Sequence, residues 1–301
     1  PCPASDAAGA YLAHSVKING SFLKKGRLLT ADDSNRLIDA GINSVTVARL
    51  EAGDLHEDEA ASRLSKALLG PGLKESAAFT GRANLIAAGP GVLVVDKSKI
   101  DRINQIHESV TVATLPEYAA VENRQMAATI KIIPFSAPES AVLKAEALAL
   151  KDGPAIQVAP YAAKRAVLIQ STLETFKSSV LDKTVDITAN RLRAVGGELI
   201  GEIRCRHDAE AIASAIKEAA KGSPDIFLIA GASAICDRAD ALPRGIEDAG
   251  GQVLHFGMPV DPGNLILFGT LTGKPVIGLP GCARSPKLNG FDWALQRIAA
   301  N

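Results

Sequence analysis

The stretch DIFLIAGASAICDRADALP, Asp225–Pro243, decides the fold. Ile226–Ala230 is an unbroken apolar run without polar alternation, the pattern of a central strand covered on both faces. Small residues from Gly231 to Ala234 then turn the chain, and a helix is expected from Pro243 to the stop at Gly250-Gly251. On the amino-terminal side, AVLIQS (Ala166–Ser171) predicts a buried strand, followed by a helix over Thr184–Val195 closed by Gly196-Gly197. The strand ELIGEIR (Glu198–Arg204) and a helix from Ala209 to Ala220, capped by Asp208, come next. On the carboxyl-terminal side, VLHFG (Val253–Gly257) and VIGLPG (Val276–Gly281) predict strands, and a last helix is expected from Ser285 to Ala300. Strands alternating with helices predict a three-layer α/β/α domain around a largely parallel sheet. Ligands of such sheets bind beyond the carboxyl ends of the strands.

The first half is patterned differently. Thr30 and Asp33 form a capping-box signal for a helix ending at Gly41, Ile42–Leu50 predicts a strand, and Glu57–Leu69 predicts an amphipathic helix with acids in its first turn. The acidic run Glu51–Glu59, which contains His56, has that helix-dipole explanation and is not read as a metal cluster. Val92–Val95, a short helix near Ile100–Ile106 and the β-rich MAATIKIIPF follow. Residues 136–160, mixing Pro with a short Ala/Leu pattern, are read as a linker. The expected organisation is a small α+β domain over 1–80, a β-rich domain and linker over 81–160, and the α/β domain over 161–301.

Composition narrows the function. The 301 residues carry 33 basic and 33 acidic side chains, so 33 − 33 leaves no net charge to draw in nucleic acid or an anionic membrane. Aromatic residues are 4%, too few to stack a nucleic-acid strand. Cys2, Cys205, Cys236 and Cys282 are widely spaced, which argues against a zinc site or a disulfide framework. The start PCPASDAAGA lacks the basic and apolar regions of a signal peptide, and no apolar run spans a bilayer, so a cytoplasmic protein is expected. Pro1, standing where an initiator methionine would, is read as the mark of a processed or trimmed chain.

Two predicted strand ends carry unusual loops. Gly231, Ala232, Ser233 and Ala234 let an anion approach main-chain N–H groups, with Asp237 and Asp240 beyond them as candidate metal ligands. Gly281, Cys282, Arg284 and Ser285 stand where the final helix is expected to begin; a helix start favours the thiolate of a cysteine, but Cys282 is read as a buried bystander.

Together with MPVDPGN (Met258–Asn264), these loops resemble the molybdopterin-binding domain shared by molybdopterin adenylyltransferases and molybdopterin molybdotransferases. GASA with Asp240-Ala-Leu-Pro243, MPVDPG and LPGCARS match the family's segments in order, and Asp182, ahead of Gly196, matches a further acid. The chain departs from the pattern at Ala230-Gly231-Ala232 in place of paired glycines, at Cys282-Ala283 in place of Asn-Pro, at Asp261 in place of a basic residue, and in having QSTLETF where the family has Gly-Asp-Glu. The arrangement also resembles a bacterial group in which such a region precedes a nucleotidyltransferase domain.

The resemblance implies a pterin phosphate as ligand, Mg2+ and a nucleotide as co-reactants, adenylyl transfer or molybdate insertion as chemistry, and a homo-oligomer. It implies Asp240 and Asp182 as catalytic acids and Asp240 with Asp237 on the metal. It further implies Gly231–Ala234, Pro262, Gly263, Gly281, Cys282, Arg284 and Ser285 around the cofactor. The alternatives are a catalytically silent cofactor-binding module serving a partner nucleotidyltransferase domain, and a nucleotide pyrophosphatase-like hydrolase. Each reading requires the turns bearing Ser233 and Ser285 to converge on one electropositive cradle edged by carboxylates.

Overall fold

The computed structural model describes residues Pro1–Asn301. The chain forms two compact units, Pro1–Gly89 with Leu93–Ala159, and Pro160–Asn301 with Pro90–Val92. It is a multi-domain α/β protein, as its patterning predicts.

The second unit is built on β1 (Arg165–Thr172), α1 (Ser178–Ala194), β2 (Glu198–Arg206), α2 (Ala209–Ala220), β3 (Ile226–Ala230), α3 (Ala241–Asp248), β4 (Gln252–Phe256), β5 (Leu267–Leu271), β6 (Lys274–Leu279) and α4 (Gly290–Ala299). Its six-stranded sheet has the order β2-β1-β3-β6-β5-β4. β2, β1, β3 and β6 run parallel, and β5 and β4 add an antiparallel edge. Alternate residues of the central strands divide the core between two layers. Ala166, Leu168, Ile226 and Leu228 pack with Leu192 of α1 and Phe291 and Leu295 of α4. Val167, Ile169, Phe227 and Ile229 pack with Ile212 and Ile216 of α2 and Leu242 and Ile246 of α3.

Several boundaries differ from the expectation. α1 starts at Ser178, not Thr184, so Asp182 lies inside the helix and not in a turn before it. The last helix starts at Gly290, not Ser285, because Asn289 accepts from the Phe291 N–H while Asp292 accepts from the Asn289 N–H at 2.8 Å. The loop before it holds only a short 3-10 turn, Gly281–Arg284. β5 went unread: LILFGTL folds back on β6 through Thr272 and Gly273, both at positive φ, a two-residue hairpin turn that reverses the edge of the sheet.

The first unit has two apolar clusters. One, from Ala4 to Val45, gathers Leu12, Leu29 and Leu37 around the helix Ala31–Asp39. The expected strand Ile42–Leu50 is broken into two-residue pieces, Ser44–Val45 and Val47–Ala48, which pair with Cys2–Pro3 and Tyr11–Leu12. The other cluster joins the helices Glu57–Leu68 and Glu139–Leu150 to a four-stranded antiparallel sheet that includes Arg82–Ala87 and Met126–Ile132. Residues 136–160 are therefore not a linker. Val142, Ala145 and Ala149 are buried in this core, and Arg63 clamps the helix containing them through Glu146 at 2.7 Å and Glu139 at 3.1 Å.

The capping box at Thr30 carries a pH dependence. Burial tends to raise the pKa of Asp33, but Arg27 Nε at 2.8 Å and the N–H and O–H of Thr30, each at 3.1 Å, donate to its carboxylate and hold it below the ordinary 3.8. A folded value below the unfolded one means that this stabilisation is complete above the unfolded pKa and is lost as pH falls through the folded one. Asp33→Asn is expected to cost about 1–2 kcal/mol at neutral pH. It should also flatten the acid limb of a denaturant-measured stability profile, so an unchanged limb would refute this assignment.

Candidate functional site

The sheet reverses its winding between β1 and β3, since α1 leads from β1 to β2 on one side and α2 leads back across to β3 on the other. The crevice outside their carboxyl ends is where such a sheet leaves room for a ligand. Here the loop after β3 and the loop after β6 meet. Gly231, Ala232, Ser233, Ala234, Pro280, Gly281 and Arg284, with Thr184 of α1, enclose a cavity of about 120 Å3.

Two arginines fix this meeting. Arg284 donates from Nη2 to the Gly231 carbonyl and from Nη1 to Thr184 Oγ1, each at 3.0 Å, with its guanidinium 5.3 Å from the centre of the Phe176 ring. Burial lowers its pKa. Arg191 of α1 is 8% exposed and donates to the carbonyls of Ala283 (2.6 Å), Ser285 (2.7 Å) and Lys287 (3.1 Å), and to Asp292 (2.7 Å). Two of the five N–H groups of Arg284 are thus held by neutral acceptors of the protein, and its charge stays at the cradle.

The remaining donors are main-chain groups. The N–H groups of Ser233, Ala234 and Gly281 face no acceptor in the protein, and together they suit an anion of phosphate size. Gly231 has a specific reason to be glycine: a Cβ there would lie 2.9 Å from the Ser233 carbonyl oxygen, inside contact distance.

A relay of side chains links the strand ends. Ser171, at the end of β1, accepts from the Ala232 N–H at 3.2 Å and lies 2.8 Å from His207 Nδ1. His207 Nε2 lies 2.9 Å from Ser233 Oγ. The ring therefore joins β1, β2 and the β3 loop. It also lines a larger cavity of about 650 Å3 with Thr172, Glu174, Arg206 and Asp208, a size that suits a fused ring system. His207, beside the Asp208 cap, is not among the residues the sequence singles out. Its signal was a polar residue directly after a strand, matched by Ser171 at the end of a neighbouring one. Arg191 gave no local signal, because its partners lie far along the chain.

The other expected site residues are placed as follows. Asp240 stands at the start of α3 without capping it, and its Oδ2 accepts the N–H groups of Cys236 and of Asp237, the latter at 3.1 Å. These bonds lower its pKa. Asp237 accepts from the Ala239 N–H. Neither carboxylate lines the cradle, and no three His, Cys, Asp or Glu side chains are grouped to hold a metal ion. The side chains present thus form no all-protein cage for Mg2+. Asp182 is exposed on α1 and pairs with Arg204 at 2.6 Å, outside the cradle. Pro262 and Gly263 also lie outside it: the Pro262 carbonyl accepts from the Gly290 N–H at 3.0 Å, and a Cβ on Gly263 would meet Gly290 at 2.8 Å, so the segment braces α4. Ser285 lies beyond the lining, held through its carbonyl by Arg191. Cys282 is half-buried, and burial raises its thiol pKa, in keeping with the bystander reading.

Comparison with known proteins adds the following. A family model described as a domain of unknown function, DUF8806, matches residues 1–49, a span that contains the amino-terminal cluster Ala4–Val45. No curated protein matches the chain. Among solved structures, the chain is similar to the molybdopterin biosynthesis MoeA protein from Pyrococcus horikosii, 16% identical over 81% of this chain and 80% of that one, with a TM-score of 0.34. It is similar to molybdenum cofactor biosynthesis protein B, 18% identical over 46% of this chain and 94% of that one, at 0.34. It is also similar to the CinA protein with unknown function from Thermoplasma acidophilum, 19% identical over 40% and 90%, at 0.28. At TM-scores this low, none of these assigns a residue or an activity to this chain.

Replacing Arg191 with Met would leave the Ala283 and Ser285 carbonyls without a donor and take one of two donors from the Lys287 carbonyl and from Asp292, an expected loss of about 3 kcal/mol in denaturant unfolding. Arg191→Lys should rescue little, because an ammonium cannot reproduce the guanidinium fork. Wild-type stability in Arg191→Met would show that the loop holds without it.

Proposed function

We infer that the second unit binds a pterin phosphate of the molybdopterin type, in the service of molybdenum-cofactor biosynthesis. The observation that carries this reading is the convergence of the Gly231–Ala234 and Pro280–Arg284 loops on a phosphate-sized cavity at the switch point of the sheet. The ordered likeness of GASA, MPVDPG and LPGCARS to the segments of the molybdopterin-binding domain supplies the ligand class. In this reading the phosphate takes the free N–H groups of Ser233, Ala234 and Gly281. His207 and Ser233 then offer the next polar contacts, and the ring system occupies the wider cavity beside His207.

Between turnover and binding alone, the geometry favours binding. Phosphoryl-group chemistry needs acids free to hold a cation beside the phosphate. Asp240 instead orders its own loop, and Asp182 is paired with Arg204 away from the cavity. A cofactor-holding module that presents its ligand to a partner nucleotidyltransferase domain therefore fits these residues better than adenylyl transfer, molybdate insertion or nucleotide hydrolysis by this chain.

Mass spectrometry of small molecules released from the purified protein tests the ligand class, and a pterin phosphate is expected. Binding should persist in EDTA and weaken by at least about tenfold in Gly231→Val, whose side chain would displace the Ser233 carbonyl. A protein that neither releases nor binds a pterin phosphate would end this reading. Turnover of molybdopterin with Mg-ATP that is lost in Asp240→Ala would replace the binding-only version with a catalytic one.

A further inference from the structure

The first unit contains a second cavity, of about 380 Å3, separate from the site above. Its charged lining is Lys25, Glu57 and Lys131, and its apolar wall is Ile133, Pro134 and Phe135. Glu57 begins the helix Glu57–Leu68, and its N–H donates to the Phe135 carbonyl at 2.9 Å, which fixes the main chain at the cavity. Glu57 is only 8% exposed, and its carboxylate, which opens on the cavity, has no hydrogen-bond donor or ion-pair partner from the protein. The neighbouring Asp58 is, by contrast, satisfied by the Gly81 N–H at 2.7 Å. Gly81 also makes room for Glu57, since a Cβ there would lie 2.5 Å from Glu57 Oε2. Burial raises the Glu57 pKa, with Lys131, His56 and Lys25 opposing that rise and Asp58 adding to it.

A carboxylate that opens on a cavity with no donor from the protein is left to solvent, and an ammonium group brought by a ligand would replace that solvent with a charge-assisted hydrogen bond. The two ammonium groups ask for the opposite charge. Lys131 donates to the Thr80 carbonyl, and Lys25 Nζ lies 5.5 Å from the centre of the Phe135 ring, so both keep donors to spare. A plain anion would meet Glu57, and a plain cation would meet the lysines. A molecule carrying one of each meets neither penalty.

We propose that this cavity binds a free α-amino acid, its carboxylate held by Lys25 and Lys131, its ammonium by Glu57, and its side chain laid against Ile133, Pro134 and Phe135. The volume falls in the range of small-ligand pockets and accommodates an aromatic or large aliphatic side chain. The proposal is independent of pterin binding in the second unit.

Isothermal titration of the full chain with each standard amino acid, their N-acetyl derivatives, the corresponding decarboxylated amines and inorganic phosphate tests it. At least one large apolar amino acid is expected to bind at millimolar concentration or below, and its N-acetyl and decarboxylated forms are not. Glu57→Gln and Lys25→Met should each weaken that binding by about tenfold or more while leaving the thermal unfolding midpoint near that of the wild type. Lys25 is exposed, so its variant carries the test should Glu57→Gln fail to fold. The proposal falls if no amino acid binds, if both variants bind as the wild type does, or if phosphate or the N-acetyl form binds equally well, which would make the cavity a plain anion site.

Discussion

The candidate site of the second unit depends on a buried arginine whose donors are spent on main-chain carbonyls. The loop from Pro280 to Asn289 leaves the sheet at its carboxyl edge and has no neighbouring strand to satisfy its carbonyls. A loop packed against a core in that state pays for each unpaired group. Arg191 removes the penalty at Ala283, Ser285 and Lys287 from one planar fork, and Asp292 balances its charge. Arg284 then ties the same loop to the Gly231 carbonyl and to α1. The cavity between the loops follows from this stitching.

The same stitching decides what kind of anion site results. Arg284 stays a cation, but a carbonyl and a hydroxyl hold two of its five N–H groups and fix its direction. Oriented N–H dipoles of the loops add to it and suit a tetrahedral anion without a mobile side chain. Asp240 plays a comparable inward role: by accepting two N–H groups of its own loop it shapes the approach to α3.

The two units manage buried polar groups differently. In the second, buried polar side chains at the strand ends are chained to one another, with Ser171, His207 and Ser233 in hydrogen-bond contact. In the first, Asp33 is fully buried and saturated with donors, while Glu57, 8% exposed on a cavity wall, has none from the protein. Net charge conceals that contrast, since both acids stand in the first turn of a helix.

Local patterning carries the α/β class, the strand and helix order of the second half apart from β5, the caps at Thr30 and Asp208, and the two loops that come together. All of these rest on local periodicity, capping chemistry and glycine placement. Asp208 indeed accepts from Ala211 N–H at 2.8 Å, and β3 is buried throughout, as its unbroken apolar run requires. Only the tertiary structure decided that Asp182 pairs with Arg204, that Pro262 and Gly263 brace α4, that 136–160 belongs to a core, and that His207 bridges strand ends. Each of these is a contact between elements distant in the chain or a shift of a helix start. A partner's position depends on how the layers pack, a long-range outcome on which the spacing of neighbouring residues is silent.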